Sequence, residues 1–340
     1  MTGGSYATSH LSVAMTTINA VEMAATGAYS KSSSSSNFKF YSSIAVVVIA
    51  VVGIAGNALV LYALFASKQH KKLILIVNQN ALDLFSSFAL LLVYVLKLCN
   101  IYLTGTLGHW LCVLVCSEYL VWIGINGSII NLAAITVDRY LKVVHSAWSR
   151  KWLRPWVIYS AVAFSWLAGI ALNTVLAFLT SALIDGVCYG FYTFASVVHY
   201  RVYLGWYIVS FYFIILAIFI LCYGRILVAV RRQASVMAVH SAAGSNSTET
   251  PAQTQAHHIQ SNVIKTMILV SVFYAVTWGP ANVLYIVAWL NYQQLTVVDS
   301  VYYTTVFIAF LYTSANPFIY ATKFNPVRKV LKNLFLCINQ

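Results

Sequence analysis

Residues 111–145 read LCVLVCSEYLVWIGINGSIINLAAITVDRYLKVVH. The run contains no proline and exceeds the roughly 20 residues that a bilayer core requires of a helix. Its ionic triplet, Asp138-Arg139-Tyr140, falls where such a helix would leave the lipid. An arginine at the mouth of a spanning helix is costly to hold and marks a functional site by default. A solvated helix end whose arginine reaches for water is the plain alternative. The rest of the chain decides between them.

The 340 residues are 61% hydrophobic and only 8% charged, with a mean hydropathy of +0.79. Soluble domains carry about 25% charged residues, so water is not the solvent of this chain. Twenty Lys and Arg against seven Asp and Glu give a net charge of +13. The cations sit in short clusters between apolar runs and form no continuous basic face, which argues against nucleic acid as a partner. Six cysteines are too few for a disulfide scaffold. Residues 1–41, with serine at every position from Ser32 to Ser36, lack the apolar content for a core and read as a disordered extracellular tail. They carry no glycosylation acceptor and no cleavable leader, so the first span is expected to serve as its own insertion signal.

Seven apolar stretches follow, at about 42–66, 73–97, 110–144, 155–179, 203–230, 259–290 and 297–321, each long enough to cross. The expected fold is an all-α membrane protein, a seven-transmembrane helix bundle over residues 42–322. Its third cytoplasmic loop spans about 231–258 and reads as polar and flexible. With the amino terminus outside, sixteen Lys and Arg fall on the cytoplasmic side and four (Lys31, Lys39, Lys97 and Arg201) outside, as the positive-inside rule requires. In residues 323–340, basic positions alternate with Val327, Val330, Leu331, Leu334 and Phe335, which suits a short amphipathic helix on the inner leaflet. Cys337 beyond it is a candidate for a palmitoyl anchor.

Several polar residues stand where lipid forbids isolated ones. Asp83 falls near mid-membrane in the second span and needs partners or a proton. Ser128 precedes Arg139 by three helical turns, at about 16 Å from the inner surface, the depth of Asp83. Asn57 and Asn316 lie at similar or shallower depth on the first and seventh spans. Each could bond separately to a backbone carbonyl; four at compatible depths favour one shared network, with a sodium ion at Asp83. Pro280 and Pro317 each remove a helix hydrogen bond and are expected to kink the sixth and seventh spans.

Taken together, Gly56-Asn57, Leu82-Asp83, Asp138-Arg139-Tyr140, Trp166, Tyr223, Trp278-x-Pro280 and Asn316-Pro317-x-x-Tyr320 occur in order, in successive spans. The chain resembles the rhodopsin-like family of G-protein-coupled receptors over residues 42–336. The resemblance implies a ligand-operated switch at the plasma membrane that activates a heterotrimeric G protein. Asp138 restrains Arg139 at rest, Arg139 faces the G protein when active, and Trp278, Asn316 and Tyr320 relay the rearrangement. It also implies a disulfide from the third span to Cys188; Cys112 and Cys116 compete, and Trp110-x-Cys112 favours Cys112. The implied ligand pocket draws on Lys97, Glu118, Tyr119, Trp122, Trp206, Tyr207, Tyr285, Trp289, Tyr303 and Phe310, though many of these aromatics could be interfacial belt residues. Lys97 and Glu118 are expected to pair, since either charge alone would be costly at that depth.

Departures from the pattern carry expectations of their own. No acid stands at 256–261, where the family restrains the triplet arginine, so signalling without ligand is expected. Ile215 replaces the fifth-span proline, which puts the bulge there in doubt. Val121, where amine receptors have an aspartate, argues against a biogenic amine, and Phe310, where opsins have a lysine, against retinal. A peptide ligand is weakly favoured over a lipid-like one. Ser235, Ser241, Ser245, Ser247, Thr248 and Thr250 in the third cytoplasmic loop are candidate phosphorylation sites for arrestin recruitment. The alternatives are a non-signalling seven-helix scaffold or decoy and, further off, an ion-coupled transporter; an odd number of spans without internal repeats disfavours the latter. No paired carboxylates or metal-ligand cluster inside the spans suggests an enzyme.

Overall fold

The computed structural model describes residues 37–190, 197–242, 251–290, 299–323 and 325–338. The first span is helix α1, Asn37–Ala66, which starts five residues inside the expected tail. The second is α2, Ile74–Leu98. The third is composite: α3, Gly105–Leu111, a π-type turn at Cys112–Cys116, and α4, Tyr119–Val144. A short helix α5, Ser146–Trp152, fills the second cytoplasmic loop and leads to the fourth span, α6, Pro155–Thr180. Pro155 at its first turn gives up no needed hydrogen bond.

Strands β1, Ala182–Ile184, and β2, Val187–Tyr189, then form an antiparallel hairpin. Its two-residue Asp185-Gly186 turn has φ of 46° and 76°, the mirror-image geometry that right-twisted hairpins prefer. The fifth span is α7, Val197–Ile208, a π-type turn at Val209–Phe213, and α8, Ile214–Ala242. The bulge is therefore present with Ile215 in the proline position. The sixth and seventh spans are α9, Pro251–Leu290, and α10, Asp299–Lys323, followed by α11, Asn325–Ile338.

Six spans are long and apolar enough to cross a membrane by length and composition. The seventh, α10, has 25 residues, about 37 Å of helix; its Thr304, Thr305, Thr313, Ser314 and Asn316 dilute its hydropathy. The third cytoplasmic loop is shorter than expected. Helix continues to Ala242 and resumes at Pro251, because residues 231–242 are helix formers with no Gly or Pro before Gly244. The side chains of Ser235, Ser241, Ser245, Ser247, Thr248 and Thr250 lie outside the described residues, as does that of Cys337.

Burial is inverted relative to a water-soluble protein. Asn57, Asp83, Gln79, Ser128 and Asn131 are wholly buried, while Ile220, Leu221 and Phe318 are at least 60% exposed. Lipid tails are as apolar as leucine, so helix association here depends on close packing and interhelical hydrogen bonds. The third span is the hub and packs on the second, fourth and fifth. The share of its apolar window that is buried is 67%, against 22–44% for the other five. Gly169 of α6 lets the fourth span approach Ile123 and Gly127 closely, and Gly56 of α1 rests against the Pro317 ring.

Candidate functional site

The polar core is built by four spans. Asp83 on α2 accepts from Ser128 Oγ on α4 at 2.6 Å through Oδ1, and from Asn316 Nδ2 on α10 at 2.5 Å through Oδ2. Gln79, one turn inward of Asp83 on α2, donates to Ser128 Oγ and, at 3.2 Å, to Tyr312 OH. Its own Oε1 accepts from Asn131 Nδ2 at 2.8 Å. The chain of bonds goes on to Asn78, which donates to Asn131 Oδ1 at 2.9 Å and to Ser165 Oγ at 3.0 Å, and accepts from Trp166 Nε1 at 2.9 Å. Asp83, Ser128 and Asn316 thus share one network. Asn57 does not join it directly: its Nδ2 donates to the Gly53 and Thr313 carbonyls at 2.9 and 3.0 Å. That tie fastens the first span to the seventh, since Asn57 stands one turn from Gly53 and faces the α10 backbone.

The inner triplet sits at the end of α4. Asp138 is buried, and Arg139 Nε approaches its Oδ2 at 3.5 Å. Lys142 Nζ lies closer, 2.8 Å from Oδ1 and 2.9 Å from Oδ2. Tyr140 OH meets His145 Nε2 at 3.1 Å, so its hydroxyl is engaged within the second cytoplasmic loop. Above Arg139, Thr136 Oγ1 and Tyr223 OH are 3.0 Å apart, and Ser271 Oγ reaches Tyr223 OH at 3.5 Å. Tyr223 therefore joins the fifth span to the third and sixth. Tyr320 is fully buried one turn beyond Asn316.

Between the polar core and the outer face runs a column of rings. Trp122 contacts Tyr207, Trp278 and Phe310 with centroids 6.4, 6.0 and 6.5 Å apart. Trp278 meets Tyr274 at 6.4 Å, and Tyr274 meets Tyr312 at 5.6 Å. Tyr312 closes the column on the Asp83 network, so ring contact is continuous from the outer aromatics to mid-membrane. Pro280 lies inside α9 next to Trp278, and Pro317 inside α10 next to Asn316.

At the outer mouth, Lys97 Nζ bonds Glu118 Oε1 at 2.6 Å and lies 4.7 Å from the Tyr94 ring centre. Glu118 has φ of 66° and separates the π-type turn from α4. Cys112 and Cys188 form a disulfide, and Cys116 is free. The π-type turn between Cys112 and Cys116 adds a residue to the path from Cys112 to Arg139. Cys188 stands opposite Leu183 in the hairpin, and Leu103 N donates to Gly186 O at 3.0 Å, so the hairpin is pinned over the bundle at two points.

The remaining pocket candidates divide. Tyr207, Tyr285, Trp122 and Phe310 gather between the third, fifth, sixth and seventh spans. Tyr119 turns to the fourth span instead, with its hydroxyl 2.8 Å from Thr174 Oγ1. Trp206 and Trp289 are 43% exposed on the outer flank, in the manner of belt residues, and Tyr303 stacks beneath Lys39 at 5.9 Å. Sequence reasoning passed over Gln79, Tyr312, Asn78 and Asn131. Gln79 is four residues from Asp83 and Asn131 three from Ser128, so helical spacing from those two was the available signal.

The oxygens gathered here are those of the Asp83 carboxylate and Ser128 Oγ, while Asn316 and Gln79 turn Nδ2 and Nε2 toward them; among the described residues no Lys, Arg or His bonds that carboxylate. Carboxylate and hydroxyl oxygens are the ligand type that hard cations take.

Comparison with known proteins agrees with this layout. Residues 56–320 match the family model described as 7 transmembrane receptor (rhodopsin family). The chain is similar to galanin receptor type 1 of Rattus norvegicus, 26% identical over 298 residues that cover 85% of this chain and 80% of that receptor. It is also similar to melatonin receptor type 1C of Gallus gallus, 26% identical over 297 residues covering 86% and 81%. Squid rhodopsin superposes with a TM-score of 0.70 at 19% identity, covering 89% of this chain and 87% of its own.

Proposed function

Because the chain belongs to the rhodopsin family of seven-transmembrane receptors, we propose that it binds an extracellular ligand and activates a heterotrimeric G protein at its cytoplasmic face. Its family is one of signalling receptors, not of enzymes. The observation that carries the proposal is the unbroken path from Tyr207 and Trp122 through Trp278, Tyr274 and Tyr312 to Asp83 and Asn316. A ligand that tightens the outer rings favours one packing of that column over another, and the shift is limited by its differential affinity for the two. The two proline-bearing helices supply the second packing, since each lacks one backbone restraint. At the inner end the consequence is release of Arg139 from Asp138.

The amino terminus lies outside, the chain resides in the plasma membrane, and the sodium ion occupies the Asp83–Ser128 oxygens in the resting packing. The ligand is a peptide. Galanin receptor type 1 among the relatives supports that choice, and melatonin receptor type 1C does not. Arrestin recruitment follows phosphorylation of the third cytoplasmic loop.

The test is a panel of G-protein dissociation sensors in cells expressing the chain, alongside Arg139→Ala at matched surface level. Ligand-independent dissociation that disappears in Arg139→Ala is the expected result. An output equal to that of untransfected cells for every G protein would favour the non-signalling scaffold.

A further inference from the structure

Asp138 has two cationic neighbours on the same helix, and they are not equal. Arg139 reaches one carboxylate oxygen, through Nε, at 3.5 Å. Lys142, one turn further along, places Nζ 2.8 and 2.9 Å from the two oxygens. By distance alone, 2.8 against 3.5 Å, the attraction to Lys142 is stronger by about a quarter. Arg139 Nε is buried and has no hydrogen-bond partner among the described residues. Asp138 is 4% exposed, while the Lys142 side chain is 39% exposed. The lysine can therefore reach water from this position, whereas Asp138 cannot. No acid at 256–261 is available in sequence to hold Arg139 from the sixth span instead.

We propose that Lys142 is a positioning residue that competes with Arg139 for Asp138 and so loosens the resting restraint on Arg139. Lys142 thereby sets the fraction of molecules that signal without ligand. The inference rests on the reading of Arg139 as the G-protein-facing cation. It assigns to Lys142 a role beyond that of a topology-setting positive charge. A lysine four residues after an aspartate on a helix could be an ordinary solvated pair of small effect. The difference here is that its partner carboxylate is the group on which Arg139 depends.

The experiment measures nucleotide exchange on purified G protein by the full chain in lipid nanodiscs, without ligand. Lys142→Ala should lower the basal rate by about two- to fivefold, the range that a partly exposed ion pair can supply. Lys142→Arg, which retains the cation, should stay within about twofold of the unaltered chain by the same range. In an Asp138→Asn background, Lys142→Ala should change nothing. An effect that persists in that background means Lys142 touches the G protein directly, and overturns the proposal. So does a basal rate that rises or holds steady in Lys142→Ala. A fluorophore on Lys265→Cys, in a chain carrying Cys99→Ser, Cys116→Ser, Cys222→Ser and Cys337→Ser, reports opening of the sixth span with no G protein present. If no G protein responds to the unaltered chain but the fluorophore still shows Lys142→Ala to be more closed, the receptor reading falls and the competition stands. An unmoved fluorophore overturns the competition.

Discussion

Gly169→Ala offers a test of how tightly the fourth span must sit for the polar core to form. An added Cβ would lie 2.5 Å from the Ile123 carbonyl oxygen and 3.3 Å from the Gly127 amide nitrogen. Carbon and oxygen tolerate about 3.3 Å, so α6 must retreat by roughly 0.8 Å, and the obstacle is backbone that no rotamer change relieves. Overpacking of this kind costs about 1–3 kcal/mol. The retreat also stretches the bonds from Asn78 to Ser165 and from Trp166 to Asn78, now 3.0 and 2.9 Å. Each is worth about 0.6 kcal/mol inside a membrane, for a total of roughly 2–4 kcal/mol. Gly224→Ala is the matched control: it meets nothing within 4 Å among the described residues, and alanine favours helix by up to about 1 kcal/mol. Thermal unfolding in detergent, followed with a thiol-reactive dye, should show Gly169→Ala several degrees below the unaltered chain and Gly224→Ala level with it or above. Equal midpoints for the two variants would show that α4 and α6 are not in the contact described.

Three further outcomes are expected. Asp83→Asn turns an acceptor toward Asn316 into a second donor and should cost about 1–3 kcal/mol; it should also abolish any rise in melting temperature when sodium replaces choline, and an undiminished sodium response would place the ion elsewhere. Cys112→Ser should change non-reducing gel mobility and reduce surface display, while Cys116→Ser should leave both as they are; the reverse pattern would move the disulfide. Alanine at Ser235, Ser241, Ser245, Ser247, Thr248 and Thr250, with Thr254 of the same loop also replaced, should remove arrestin recruitment, and recruitment at full strength would shift the phosphorylation sites out of that loop.

Span number and the gathering of Asp83, Ser128 and Asn316 were legible because each follows from length or depth along a helix of known rise. Lateral facts were harder to read. Gln79 and Asn131 are polar residues on apolar helices, and only the packing reveals that both point at the same hydroxyl. Tyr119 was assigned to the pocket by depth alone, yet one helical position of rotation aims it at Thr174. Asn57 has the right depth but the wrong azimuth, and it spends its donor on a carbonyl. The π-type turns at Cys112–Cys116 and Val209–Phe213 left no Gly or Pro in the sequence to announce them, because they arise from packing against neighbours and not from local propensity. The long cytoplasmic extensions of α8 and α9 were missed for a different reason: polar composition was taken as loop when residues 231–242 favour helix.

The left-handed residue Glu118 has a mechanical consequence. It divides the third span into two rods, an upper one riveted to the hairpin by the disulfide and a lower one that carries Arg139 in its last turns. The two rods therefore do not form one uninterrupted helix. On the receptor reading proposed above, a signal crosses sideways, from Trp122 at the head of the lower rod into Trp278 on its neighbour.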